Sequence, residues 1–242
     1  MSQQEPISGL LLIDKPLAMS SMQVCARVRG RFVAGGAPKR LKVGHAGTLD
    51  PLATGLLVIL VGRATRLCAE VMGGEKEYLA DIDLAHSSTT DDHEGVVTPI
   101  DVQRAPSRED VGASLSRFVG DIRQTPPAHS AMKVGGKRAY ALARAGKPVD
   151  LEPRTVRIDA IDILSYEFPL LRIRVRCGKG TYIRSLARDI GKELGVGGML
   201  DALRRTRVGP YRVAGAMDGD QLPRVLTQSD LREPIARPGE SA

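Results

Sequence analysis

Tryptophan is absent from this chain, and only 3% of its residues are aromatic. That scarcity argues against a broad surface that binds single-stranded nucleic acid by stacking base after base on aromatic rings. Cysteine is nearly as scarce. Cys25, Cys68 and Cys177 are odd in number, far apart and without a Cys-x-x-Cys pair. That pattern argues against a disulfide framework or a thiolate zinc site and fits single thiols in a reducing compartment. Long apolar runs are missing too: residues 10–13 and 56–61 are such runs, and even the longer falls far short of a membrane span of roughly 18 residues, while residues 1–8 are too polar for a signal peptide. These absences predict a soluble cytoplasmic protein without membrane contact.

Negative charge is missing selectively. Residues 15–49, 122–149, 168–188 and 202–217 contain no Asp or Glu, yet hold 23 of the 35 Lys and Arg residues of a chain whose net charge is +7. Positive charge segregated in this way suits a polyanionic partner, because phosphate contacts release counterions and a one-sign field steers association. On charge alone a merely basic surface remains open. With 42% apolar and 26% charged residues over 242 positions, the composition is that of an ordinary globular chain with a real core.

Local patterns predict the elements. Gly9 to Asp14 reads as a buried strand closed by Lys15-Pro16, and Ser20 or Ser21 caps a helix running to about Val33 before Gly35-Gly36. Residues 56–61 read as a central strand, and 64–72 as a helix closed by Gly73-Gly74. Tyr78, Ala80, Ile82 and Leu84 alternate with polar residues as a half-buried strand does. A polar loop over 85–95 follows, and Ser107-Arg-Glu-Asp110 opens an amphipathic helix with a capping box. Residues 137–145 read as a short basic helix inside an insertion over 124–151. Leu171, Ile173, Val175 and Cys177 alternate with Arg172, Arg174 and Arg176, and a helix follows with Ile183, Leu186, Ile190 and Leu194 as its apolar stripe and Arg184 and Arg188 opposite. Strands joined by long, irregular connections predict an α+β fold: a mixed, mainly antiparallel central sheet flanked by helices and loops. The stretch after Tyr211 is expected to fray.

In Gly44-His-Ala-Gly-Thr-Leu-Asp-Pro-Leu-Ala-Thr-Gly55 a single carboxylate, Asp50, stands after thirty-five residues without another acid. Cationic surroundings favour its ionised form, the state required of a nucleophile or base, although spacing alone suits a turn or helix-capping Asp equally well. A second chemistry is suggested by Asp81, Asp83, Asp91, Asp92, His93 and Glu94 with His86 nearby, but their spacing matches no standard metal motif. A third possibility is an RNA-binding or RNA-folding protein without turnover.

The stretch from Lys42 to Leu56 closely resembles the signature of the TruB family of tRNA pseudouridine synthases. Asp14-Lys-Pro16, Lys76-Glu-Tyr78, Thr90 through Asp92 to Gly95, Gln124-Thr-Pro-Pro127 with Ser130-Ala-Met-Lys133, Gly180-Thr-Tyr-Ile-Arg184 and Leu203-Arg-Arg205 resemble its other motifs in the same order. The resemblance implies the pseudouridine synthase fold and isomerisation of uridine 55 in the tRNA T-loop, without cofactor or metal, by a monomer that holds the T-arm. It makes Asp50 the catalytic carboxylate, acting either by attack at the sugar or by removing a ribose proton. Tyr78 becomes the aromatic that stacks on the flipped base, and Arg184 the cation paired with the catalytic Asp. His45 lies near the flipped-out bases and Leu203 lines the pocket. Lys15, Thr48 and Tyr182 in these motifs, with Lys133, Arg138 and Arg144 of the insertion, join the expected substrate and RNA contacts. Asp92 helps to organise the loop. The family's glycine and threonine after the Asp-Lys-Pro turn are Ala18 and Ser20 here. By the same resemblance residues 1–211 form the catalytic domain, and residues 212–242 a short tail rather than a full PUA module.

Overall fold

The computed structural model describes residues 7–127, 133–134, 137–138 and 151–235. In chain order they form β1 (Gly9–Lys15), α1 (Ser21–Ala34), β2 (Val43–His45), β3 (Ala53–Val61), a 3-10 helix (Gly62–Leu67) running into α2 (Cys68–Gly73), β4 (Lys76–Asp83), β5 (His86–Ser88), β6 (Val97–Pro99), α3 (Arg108–Ser116) and β7 (Gly120–Gln124). Then come β8 (Lys133–Val134), β9 (Lys137–Arg138), β10 (Arg154–Glu167), β11 (Leu170–Cys177), α4 (Ile183–Leu194), β12 (Met199–Val208), β13 (Tyr211–Arg212) and β14 (Met217–Asp218). The class is α+β. The chain divides into two compact units, residues 1–76 with 204–242, and residues 77–203.

In the first unit the strand order is β14-β1-β3-β12, with β2 also paired to β3 and β13 to β12. β1 runs antiparallel to β3 from Gly9↔Val61 to Lys15↔Gly55, and β14 joins β1 in parallel, so the sheet is mixed. The apolar runs of β1 and β3 lack alternation because both faces are covered. Leu11, Ile13, Leu57 and Ile59 pack on Val24, Cys25, Val28 and Phe32 of α1, while Leu10, Leu12, Leu56 and Val58 pack with Val208 and Tyr211. Ser20 caps α1 as expected: its hydroxyl accepts from the Gln23 amide, and the Gln23 side chain accepts from the Ser20 amide. Ala18 adopts a φ of 60°, a conformation that favours glycine, and donates its amide to the Pro51 carbonyl at 2.9 Å.

The segment after Tyr211 does not fray where it is described. Leu222 and Leu226 are buried among the α1 side chains, and Leu10 and Arg232 exchange two backbone hydrogen bonds of 2.8 Å. Apolar burial anchors this stretch, with the β1 edge supplying backbone partners; residues 236–242 lie outside the described set.

The second unit has the strand order β4-β11-β10-β7, antiparallel where β10 meets β11 and β7. β4 and β11 show the expected alternation, with Tyr78, Ala80 and Ile82 and then Leu171, Ile173, Val175 and Cys177 turned inward. Arg172 on the outer face grips Asp81 with two bonds of 2.6 and 2.7 Å. α3 begins at the expected Ser107 capping box and packs on α4 and β10. α4 ends at Gly195, in the left-handed conformation that stops a helix.

Two local expectations change. The polar loop over 85–95 contributes β5 to a small hairpin with β6, held by backbone pairing from His86↔Pro99 to Ser88↔Val97 rather than by apolar burial. The expected helix over 137–145 begins instead as strand β9, which pairs with β8 in a two-residue ladder; residues 139–145 lie outside the described set.

Candidate active site

In the first unit, the loop between β2 and β3 carries Asp50, and every backbone carbonyl from Gly47 to Pro51 accepts a hydrogen bond. The Gly47 and Thr48 carbonyls accept from the Arg205 guanidinium at 3.1 and 3.4 Å. The buried Ser21 hydroxyl both donates to the Leu49 carbonyl and accepts from the Leu49 amide, each at 2.9 Å. The Asp50 carbonyl accepts from the Ala53 amide at 3.0 Å, and the Pro51 carbonyl accepts from Ala18 and, at 3.4 Å, from the Lys15 ammonium. Hydrogen bonds on both sides of one residue leave it little freedom, so the half-buried Asp50 carboxylate projects from a fixed peptide frame.

Three cationic or basic groups surround that frame. Lys15, expected among the RNA contacts, is fully buried, and its ammonium donates to the Pro16 and Met19 carbonyls at 2.8 and 2.6 Å. Lys15 thus braces the turn beside Asp50 from within the fold. Burial pushes its pKa down to about 8, with Asp50 opposing the fall and Arg205 adding to it. Burial and then Arg205 push His45 below its ordinary range, so its imidazole is neutral near pH 7; its Nδ1 is buried without a hydrogen-bond partner. Thr48 is exposed.

In the second unit Tyr78 is buried on the inner face of β4. Arg184 is not on an exposed helix face, as the apolar stripe suggested. It is 6% exposed, donates to the Thr90 carbonyl at 3.2 Å and stands 3.4 Å from the Asp92 carboxylate, itself 4% exposed. The other Asp92 oxygen accepts from the Thr90 hydroxyl and, at 3.0 Å, from the Glu94 amide. Arg188, one turn on, joins Asp91 at 2.8 Å to the Thr125 carbonyl at 3.0 Å. Burial raises the Asp91 pKa against the pull of Arg188 and Arg184. Gln124 clasps the backbone that opens α4: its side-chain carbonyl accepts from the Tyr182 amide at 2.8 Å and its amide donates to the Tyr182 carbonyl at 3.1 Å.

Leu203 is half-buried in β12. Lys133 and Arg138 sit opposite each other in the β8–β9 ladder, and Arg144 lies outside the described residues. The acidic run disperses into separate pairs, Asp81 with Arg172, Asp83 with His86, Asp91 with Arg188, Asp92 with Arg184 and His93 with Asp201. Among the described residues no three His, Cys, Asp or Glu side chains converge as a metal site, and no helix is long and apolar enough to cross a membrane. Sequence patterns do not assign Ser21, Gln124 or Arg205 to the site; each acts through partners distant in sequence.

A model described as TruB family pseudouridylate synthase (N terminal domain) matches residues 36–183, and one described as tRNA pseudouridylate synthase B C-terminal domain matches 184–242. The chain is 43% identical over 226 residues to a protein of Phocaeicola vulgatus named tRNA pseudouridine synthase B, covering 93% of this chain and 96% of that one. It is 50% identical over 220 residues to a protein of the same name from Leifsonia xyli subsp. xyli, covering 86% and 70%. Among solved structures it is similar to a chain in "Crystal Structure of a Cbf5-Nop10-Gar1 Complex", with 29% identity and a TM-score of 0.66 over 87% of this chain and 52% of that one. It is also similar to a chain in "Structure of H/ACA RNP bound to a substrate RNA containing 2'-deoxyuridine", with 27% identity and a TM-score of 0.63 over 87% and 50%. The chain thus spans about half the length of these solved chains.

Proposed function

The chain belongs to the TruB family of pseudouridylate synthases, and from that premise we propose how its residues turn a uridine of the tRNA T-loop into pseudouridine. The protein is a tRNA-modifying isomerase. The bond from uracil nitrogen 1 to the ribose breaks, the base turns, and its carbon 5 joins the same ribose carbon. The proton lost from carbon 5 is balanced by one gained at nitrogen 1. Substrate and product are isomers, so no external oxidant or reductant enters the balance.

Asp50 is the carboxylate that acts on the sugar. The observation that carries this reading is the hydrogen-bonded peptide frame from Gly47 to Pro51, which holds one acid in place within a strongly basic stretch. Pre-set position is what a group must have to act on a single carbon of a large substrate. Arg184, buried and oriented by Asp92, supplies the cation of the catalytic set, where a charge-assisted contact is stronger than in water. Tyr78 stacks on the flipped base, offsetting the few kcal/mol that leaving the RNA stack costs. A neutral His45 suits contact with a base better than with phosphate. Leu203, Thr48 and Tyr182 border the target nucleotide, while Lys133, Arg138 and Arg144 of the insertion hold the T-arm backbone.

The test is to incubate an unmodified tRNA transcript with the protein and map pseudouridine by carbodiimide adducts that stop reverse transcription. One new stop, at the T-loop uridine, is expected. Stops elsewhere, or none from folded protein that binds the transcript, would refute the T-loop assignment.

A further inference from the structure

Arg205 is among the largest fully buried side chains of the chain, 1% exposed, yet among the described residues it meets no carboxylate. Its neighbours on β12 differ: Arg204 grips Asp14 with two bonds of 3.0 and 2.6 Å, and Arg207 meets Glu75 at 2.9 Å. The Arg205 guanidinium instead donates to three backbone carbonyls, Leu56 at 2.8 Å, Gly47 at 3.1 Å and Thr48 at 3.4 Å. Burying a charge without an opposite charge is unfavourable, and an apolar side chain of similar volume commonly packs with equal or better stability. Arg205 also disfavours the charged forms of Lys15 and His45. Stability alone is therefore a poor reason for an arginine here.

What the guanidinium does geometrically is specific. Leu56 follows Asp50 in the chain and Gly47 and Thr48 precede it, so one planar group ties the two arms of the loop together. The contact extends to the backbone. A Cβ at Gly55 would overlap the Arg205 carbonyl oxygen and come within 2.8 Å of its amide nitrogen, and one at Gly47 would lie 3.4 Å from its Nη1. Gly55 thus lets the backbone of β12 approach the Asp50 loop closely, which brings the Arg205 guanidinium within reach of its carbonyls.

We propose that Arg205 is a positioning residue for the isomerisation: by bracing the Gly47, Thr48 and Leu56 carbonyls it holds the Asp50 carboxylate at the place from which it reaches the ribose. The inference rests on the reading of Asp50 given above. Lysine cannot replace it, because a single ammonium lacks the separate nitrogens with which the fork reaches carbonyls on both arms.

Single-turnover release of tritium from uridine carbon 5, with enzyme in excess over labelled tRNA, separates positioning from folding. Loss of folded protein lowers the amplitude and the melting temperature, whereas misplacement lowers the rate constant of the molecules that are folded. Arg205→Lys and Arg205→Gln, checked by circular dichroism, are run beside wild type and Asp50→Asn. The expected result is tRNA affinity within about threefold of wild type and a rate constant about 100-fold lower in both Arg205 variants. A wild-type rate constant in a folded variant overturns the inference, as does a loss confined to amplitude or to Kd. Failure of both variants to fold also overturns it and makes Arg205 an element of the fold alone. If Asp50→Asn keeps the wild-type rate, the reading of Asp50 fails and takes this inference with it; if only Arg205→Lys and Arg205→Gln keep it, the reading of Asp50 stands.

Discussion

A buried lysine beside a carboxylate leaves a signature in the pH dependence of stability. Lys15 carries a pKa of about 8 in the fold against 10.5 in water, chiefly through burial. The unfolded chain therefore binds the proton more tightly, and the charge on Lys15 costs the folded state about 3 kcal/mol wherever both states are protonated. That cost is fully present below about pH 8. It is relieved as pH rises from about 8 to 10.5, a window in which the unfolded state binds more protons and this group's contribution to stability increases. Lys15→Met removes the titration. At neutral pH it relieves the charge but leaves the Pro16 and Met19 carbonyls without the ammonium, at about 1 to 3 kcal/mol each, so the net change is small. Urea unfolding of both proteins followed by circular dichroism, from about pH 7 to about pH 10, should show the variant falling behind wild type by most of about 3 kcal/mol. A difference that stays flat with pH would refute the argument, because it would mean that water reaches the ammonium. The same variant should leave the salt dependence of tRNA binding unchanged, as a solvent-facing phosphate contact would not.

Gly55→Ala, with φ of +97° and the Arg205 backbone in the way, should cost about 3 kcal/mol or more and lower the melting temperature by about 10 °C; Gly36→Ala, with φ of +90° but open space, should cost only about 1 kcal/mol. Equal shifts would refute the close approach. Asp92→Asn keeps the shape but removes one charge beside Arg184, and should lose about 1 to 3 kcal/mol of stability and at least about tenfold in the single-turnover rate, with tRNA affinity little changed. Unchanged rate and urea midpoint would show that the pair matters to neither. Replacing Lys133, Arg138 and Arg144 together with Ala should flatten the logarithmic salt dependence of tRNA affinity by about 2, somewhat under one for each phosphate no longer neutralised, and an unaltered slope would place the insertion away from RNA.

How legible each part was in the sequence depended on whether its pattern was local. β1, β3 and α1 announce themselves through apolar runs and a capping box, and β4 and β11 through strict alternation. β10 was unreadable because its pairing with β11 shifts register twice, between Ile158 and Ala160 and between Ile163 and Ser165, and each irregularity breaks the two-residue period. β12 was hidden by its own chemistry, since a strand that buries Arg205 does not look half-apolar. Arg184 misled for the same reason: helical periodicity assigns charge to solvent, whereas its ion pair with Asp92 keeps it inside. Asp50 stood out as a lone acid within a recognisable motif. The groups that fix it did not, because Ser21 reaches Leu49 across 28 positions and Arg205 reaches Leu56 across 149. Such bonds are products of topology, and residue type alone does not reveal them.

The measurement that bears most directly on the account is tritium release from carbon 5 of the T-loop uridine in unmodified tRNA, wild type against Asp50→Asn. The substitution keeps the shape of the side chain and removes the charge. Release by wild type that is abolished in a folded, tRNA-binding Asp50→Asn protein is the result predicted; release at the wild-type rate by that variant would contradict the assignment of Asp50 as the acting carboxylate.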